Sequence, residues 1–206
     1  DQNQRILQHL RNEGEIWSSI GLSAVDQSAG YYRNDGYWNG TVWMPHQWFF
    51  WKRLLDLDEA DLARKIAQTA LEVWKKEVET SYHCMEHFII ETGRGAGWHQ
   101  FGALSAPVLS WFSSYYRTGH VTTGYDLWIK EQTFNQDKSE LALHLMNHSE
   151  RPAGRSMILV CMNPLYTYRA TYNGRPADMT VYEPGTLAVH IPNGKPTGTL
   201  RISRID

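Results

Sequence analysis

Two short segments hold the side chains best suited to chemistry. In Tyr82-His83-Cys84-Met85-Glu86-His87-Phe88-Ile89-Ile90-Glu91-Thr92-Gly93, Glu86 is embedded among apolar neighbours. A carboxylate in such a place is paired, hydrogen-bonded, protonated or turned toward a cleft. Burial would raise its pKa, which suits a group that exchanges a proton near neutrality. A salt bridge to a nearby arginine such as Arg94 is the competing reading, and Glu91, next to a glycine-rich stretch, reads as exposed. In Tyr37-Trp38-Asn39-Gly40-Thr41-Val42-Trp43, aromatic planes and an amide surround a glycine just before a helix start. Gly40 permits close backbone approach, and Asn39 offers a donor and an acceptor to a hydroxyl. Here the competing reading is a helix-opening turn with buried aromatics.

Other chemistries find less support. His83 and His87 lie four apart, but Glu86 breaks the His-Glu-x-x-His order of a zinc helix, and the surrounding residues read equally as extended chain. No Gly-x-Ser-x-Gly elbow occurs. Gly93-Arg94-Gly95-Ala96-Gly97 lacks the strand, helix and acidic partner of a dinucleotide site and suits a lid over a sugar site. Cys84 and Cys161 sit in apolar stretches far apart and read as two free, buried thiols.

The elements that must carry these residues follow two periods. Leu62, Ala63, Ile66, Ala67, Ala70, Leu71 and Trp74 form one helical stripe over residues 58–76, with Asp58 as its cap and Lys75 and Lys76 near its negative end. Residues 45–55 read as a helix opened by Pro45. Residues 104–116 form another, with Leu104, Val108, Trp111, Phe112 and Tyr115 on one side, and a weaker one covers 3–12. Segments 18–40 and 92–102 are long loops rich in glycine and aromatics, the kind that carry function. After residues 118–126 the period changes. Leu141, Leu143 and Leu145 alternate with other residues, Ile158, Val160 and Met162 less cleanly, then Leu187, Val189 and Ile191, and Leu200 and Ile202. Asn173-Gly174 and Pro184-Gly185 mark turns, so this half reads as an antiparallel sandwich.

Composition narrows the partners. The 206 residues carry a formal charge of −2. No basic field exists to hold a phosphate backbone, and no apolar run is long enough to span a bilayer, which argues against nucleic acid and membrane. Eight of the nine tryptophans precede residue 120, and flat aromatic faces pack on sugar rings as well as in cores. The chain opens on Asp1 with no signal-like start, which reads as a fragment or processed form.

Taken together, these segments resemble glycoside hydrolases of the α/α-toroid kind, nearest to glycoside hydrolase family 63 and its bacterial relatives, with trehalases more distant. The family's Tyr-Trp-Arg-Gly-x-x-Trp segment reads here Tyr37-Trp38-Asn39-Gly40-Thr41-Val42-Trp43. Its Glu-Asn-Tyr-type segment, with a glycine seven residues on, reads Glu86-His87-Phe88 with Gly93. A glycine-rich loop, an aromatic and a Ser-Ala helix opening follow as Gly95 to Gly97, Trp98, Phe101 and Ser105-Ala106. Order and separations agree over about residues 17–117.

The resemblance implies that Glu86 is the general base of an inverting hydrolase, whose two carboxyl groups stand about 6.5–9.5 Å apart to admit a water. Tyr37, Trp38, Asn39, Gly40, Trp43, Trp98 and Phe101 would bind the sugar, an α-glucoside-like oligosaccharide. No metal or organic cofactor is required. Asn39 stands where the family has arginine, and no residue matches the family's general acid; Asp26 and Asp35 lie in the right loop but are not assigned that role. The expected architecture is α+β: residues 1–119 as the last helices of a partial (α/α)6 toroid and residues 120–206 as an antiparallel β-sandwich domain. Its partners would be a carbohydrate and either a missing amino-terminal part of the barrel or another subunit. A carbohydrate-binding remnant without turnover, or a toroid sugar lyase or epimerase using His83, His99 or Tyr82, are the alternatives. The chain reads as soluble, cytoplasmic or periplasmic.

Overall fold

The computed structural model describes residues 2–148, 154–192 and 197–205. Four helices precede most of the strands: α1 (Gln2–Arg11), α2 (Met44–Asp56), α3 (Ala60–Ser81) and α4 (Gly102–Tyr116). Between them lie two small hairpins, β1 (Trp17–Ser18) with β2 (Gly21–Leu22), and β3 (His87–Phe88) with β4 (Gly95–Ala96). Nine strands follow: β5 (His120–Thr122), β6 (Leu127–Phe134), β7 (Glu140–Asn147), β8 (Ser156–Cys161), β9 (Tyr168–Tyr172), β10 (Arg175–Ala177), β11 (Met179–Glu183), β12 (Thr186–Ile191) and β13 (Gly198–Arg204). The expected class, helices followed by antiparallel sheets, is the class observed. Two compact units form, Asp1–Trp51 with Arg64–Trp111, and Lys52–Ala63 with Phe112–Asp206.

In the first unit, α3 buries Ile66, Ala67, Ala70, Val73 and Glu77 along one stripe, while Leu71 and Trp74 lie only half-buried beside it. The helix outruns the stripe read from the sequence and ends at Ser81 with Tyr82 in the left-handed region, whose amide donates to the Val78 carbonyl at 2.9 Å. Lys75 and Lys76 therefore sit a turn short of its end. The buried Gln47 of α2 uses both ends of its amide on the Leu22 backbone, accepting at 2.8 Å and donating at 2.6 Å. In α4 the expected face holds at Val108, Trp111 and Tyr115, but Phe112 is 55% exposed. The neighbouring buried place belongs to Ser114.

Glu77 carries the most consequential contact of this unit. Its side chain is 3% exposed and accepts from Arg94 Nε at 2.8 Å, Arg94 Nη2 at 3.1 Å and the Gly95 amide at 2.9 Å. The Arg94 guanidinium beside it, with the Gly95 amide, holds the carboxyl well down, to about 2 from 4.5.

In the second unit, a five-stranded sheet ordered β10-β9-β13-β7-β6 faces a four-stranded sheet ordered β11-β12-β8-β5. Between them Leu141, Leu143, Leu145, Ile158, Val160, Leu187, Val189, Leu200 and Ile202 form the core. These are the alternating positions read from the sequence, and both expected turns link paired strands. Strand β8 alternates poorly because it is buried on both faces. Its outer residue Cys161 donates from its thiol to the Ser114 carbonyl at 3.1 Å, and burial pushes that thiol up to about 11. Both cysteines are free, but Cys84 is only half-buried. Asp58 does not cap α3 with its side chain. It lies in the left-handed region closing α2, where the Glu59 amide reaches the Leu54 carbonyl at 3.0 Å. Its carboxylate meets His190 Nδ1 at 2.5 Å and Arg155 Nε at 2.9 Å.

Two outcomes test this account. A carboxylate whose folded pKa lies below its unfolded one stabilises above about 4.5, and that contribution is lost as the pH falls toward about 2. Glu77→Gln should therefore cost about 2 kcal/mol at neutral pH and flatten the acid limb of stability against pH, read by urea unfolding. Leu143→Ala should lower the stability of the sandwich by about 3 kcal/mol through lost burial and a cavity, read as a shifted denaturant midpoint.

Candidate functional site

The two segments singled out by their chemistry are brought together by backbone pairing. Val42 bridges to Ser23 on one side and to Phe88 on the other. The Val42 and Phe88 amides each donate to the other's carbonyl at 2.9 Å. Phe88 in turn pairs with Gly95, so a narrow ladder runs from the end of β2 through Val42 to β3 and β4. The Glu77 clamp on Arg94 and Gly95 fixes that hairpin to α3. Tyr37, in the turn before Val42, and Glu86, just before β3, are thereby brought together.

Glu86 is not buried, contrary to the reading of its apolar neighbours. It is half-exposed and stands just before β3, while the two residues that follow it, His87 and Phe88, are both buried. Nor does it pair with Arg94, whose guanidinium is held by Glu77. Its Oε1 accepts a hydrogen bond from the Tyr37 hydroxyl, and its Oε2 accepts from the Trp98 amide at 3.0 Å. The Tyr37 bond, and then the Trp98 amide, hold its carboxyl below the usual carboxylate range rather than above it. The group is therefore an ionised acceptor at neutral pH.

The aromatic candidates divide into outer and inner rings. Trp98, Trp38 and Tyr37 are 63%, 54% and 48% exposed, and Phe101 is exposed at the edge of the same loop. The Phe101 amide donates to the Cys84 carbonyl at 2.8 Å, which ties that loop to the residues before Glu86. Trp43, expected in the wall of a sugar site, is 1% exposed and lies inside. Its indole stacks on Trp38 at 3.7 Å and on His87 at 5.0 Å, so it supports exposed rings without presenting a face. Asn39 spends its amide on the Tyr31 carbonyl at 2.8 Å, within its own loop. Gly40 is required, but by the chain: a Cβ there would stand 1.6 Å from the Arg33 carbonyl oxygen.

Two residues that the sequence offered only as a lid glycine and as half of a metal pair shape the site. Gly97 has a φ of +76°, and a Cβ on it would stand 2.5 Å from Glu86 Oε2 and 2.9 Å from His87 Nδ1. Its glycine-rich setting was the available signal. His87 is buried, its Nδ1 has no hydrogen-bond partner among the described residues, and burial pushes its imidazole pKa down, with Glu86 opposing. No metal reading attaches to it: His83 packs on His99 at 5.0 Å, while His87 packs on Trp43. Among the described residues no group of three or more His, Cys, Asp or Glu side chains could hold a metal ion.

The family model described as the mannosylglycerate hydrolase MGH1-like glycoside hydrolase domain matches residues 1–103. No curated protein matches the chain. Among solved structures, an uncharacterized conserved protein from Thermus thermophilus is 25% identical, over 52% of this chain and 26% of its own, with a TM-score of 0.47. The GH63 mannosylglycerate hydrolase from the same organism, in complex with glucose, is 23% identical over 54% of this chain and 26% of its own, with a TM-score of 0.45. The chain thus spans 26% of the length of each of these proteins. The family match takes in 103 of the 206 residues, and both Glu86 and the Tyr37–Trp43 segment fall inside it, so the chain belongs to the mannosylglycerate hydrolase MGH1-like glycoside hydrolase domain family.

Proposed function

We propose that this chain supplies the base side of an inverting glycoside hydrolase site, with Glu86 as the general base. One observation carries the proposal: Glu86 is a solvent-facing carboxylate hydrogen-bonded on both oxygens and paired with no cation among its described contacts. A general base must be ionised before it can take a proton, and the Tyr37 and Trp98 bonds favour that state. Glu86 would strip a proton from a water as the water's oxygen attacks the anomeric carbon. The general acid, which protonates the departing oxygen from the opposite side, would come from outside these residues. Asp26 is committed to Ser28, accepting from its amide and its hydroxyl at 2.8 Å each, and Asp35 lies against Arg33 at 3.4 Å.

The sugar would lie against the exposed Trp98, Trp38 and Phe101, whose flat faces suit the apolar faces of a pyranose. An α-glucoside-like oligosaccharide is the proposed substrate class, and the family's description adds mannosylglycerate as a second candidate. Residues 1–119 would form part of a toroid completed by further helices of the same protein or another subunit, with residues 120–206 as its sandwich domain. Among the described residues no helix is long and apolar enough to cross a membrane.

Hydrolysis of both substrate classes by the full chain, in its complete assembly, tests the proposal. Glu86→Gln should lower kcat by about 10²–10⁴-fold and leave sugar affinity, measured by calorimetry, nearly unchanged. Retained turnover would remove Glu86 from the chemistry. A parent protein that binds sugar and turns over neither class would instead be a carbohydrate-binding remnant. Trp98→Ala should raise KM about tenfold through the lost aromatic face, with a smaller effect on kcat.

A further inference from the structure

We infer that Tyr37 is the positioning residue for the Glu86 base, and that it orients the carboxylate instead of walling the sugar. The inference rests on Glu86 being the base. Its geometric ground is how thoroughly Tyr37 is anchored everywhere except at its hydroxyl. The Tyr37 carbonyl accepts two hydrogen bonds, from Thr41 Oγ1 at 2.7 Å and from Trp43 Nε1 at 3.2 Å. Thr41 and Trp43 are both buried. The Tyr37 ring stands edge-on to Trp43 at 4.7 Å and 85°, and to His87 at 5.2 Å and 88°. A tyrosine held at backbone and ring by three buried side chains can place its hydroxyl with little freedom, and that hydroxyl donates to Glu86 Oε1.

The other oxygen is fixed independently. The Trp98 amide holds Oε2, and Gly97 leaves no side chain to displace it. With one donor on each oxygen, the carboxylate plane is set and its remaining lone pairs are aimed. Proton transfer from a water depends on that aim, since a misplaced base loses rate without losing substrate. The groups that face Glu86 from the surrounding elements are the Tyr37 hydroxyl, the Trp98 amide and the neutral-leaning His87. The nearby charges are committed elsewhere, Arg94 to Glu77 and Glu91 to Asn34 Nδ2 at 3.0 Å. Tyr37 also stays protonated as a donor, because its bond to Glu86 raises its own pKa.

Tyr37→Phe keeps the ring and removes only the hydroxyl, so the wall and positioning roles give different results. Positioning requires kcat to fall about 10–100-fold with KM nearly unchanged. The acid limb of kcat/KM against pH should move to higher pH, because a bond that held the base's pKa down is gone. The Glu86 carboxyl resonance, assigned by its loss in Glu86→Gln, should titrate at higher pH in Y37F by carbon NMR. Wild-type kcat with unmoved limb and resonance, or a raised KM alone, would overturn the inference. If E86Q is inactive while Y37F behaves as wild type, only this inference falls. If E86Q keeps its turnover, the base assignment fails and takes this inference with it.

Discussion

A buried carboxylate that is not itself the candidate catalyst governs the rest of the site. Glu77 reaches out of α3 to hold the Arg94 guanidinium through two bonds and the Gly95 amide through a third. Desolvating that carboxylate would be costly without these donors, and with them its pKa drops to about 2. Two consequences follow. The hairpin of β3 and β4 is fixed to a long helix, which sets where Glu86 and Trp98 stand. The cation that could have neutralised Glu86 is also removed from its reach. Glu86 keeps its charge for other use.

Two glutamates nine positions apart therefore have opposite surroundings. Glu77 is enclosed and paired with an arginine; Glu86 faces solvent, and among the described residues its hydrogen bonds come from a hydroxyl and an amide. Both have lowered pKa values, but for different reasons: a guanidinium beside Glu77, and uncharged donors on Glu86. Uncharged donors leave the net negative charge on the carboxylate, where it can attract a proton. The inner aromatic layer does analogous work. Trp43 stacks on both Trp38 and His87, and its indole N–H holds the Tyr37 carbonyl, so one buried ring braces Tyr37 and His87 beside Glu86 and backs the exposed Trp38.

Legibility in the sequence tracked how far each property depends on local period. Helices α2, α3 and α4 and the alternating strands β7 and β13 were readable because one face of each meets a core, and β12, buried nearly throughout, because Thr186, Ala188 and His190 alternate with Leu187, Val189 and Ile191. Phe112 sits on the apolar side of α4 by spacing and is nonetheless exposed, since spacing names a stripe but not its width. Strand β8 blurred because both its faces are covered. Asp58 looked like a cap by position, yet its left-handed backbone and its contacts with His190 and Arg155 depend on residues far along the chain. Glu86 was found through its neighbours, but its environment was misread. Apolar residues on either side imply burial in a helix or in a strand covered on both faces. Here the buried places go to the two residues after it, His87 and Phe88, and Glu86 stands half-exposed before β3, a distinction the residue types around it do not carry.

On the reading of Glu86 as a general base, the one-sidedness of this surface bears on where its acid partner would stand. An inverting pair must act on opposite faces of one sugar ring, about 6.5–9.5 Å apart, so the two carboxyls cannot share one short hairpin. The ladder running from Ser23 through Val42 to Phe88 and Gly95 presents Glu86, Tyr37 and Trp98 together. An acid on this ladder would meet the same face of the sugar and compete with Glu86 for the same water. Asp26 and Asp35 are each bound to a neighbour in their own loop. On an inverting mechanism, a site assembled on one strand ladder would hold and aim the base, and another element would supply the acid that protonates the leaving oxygen.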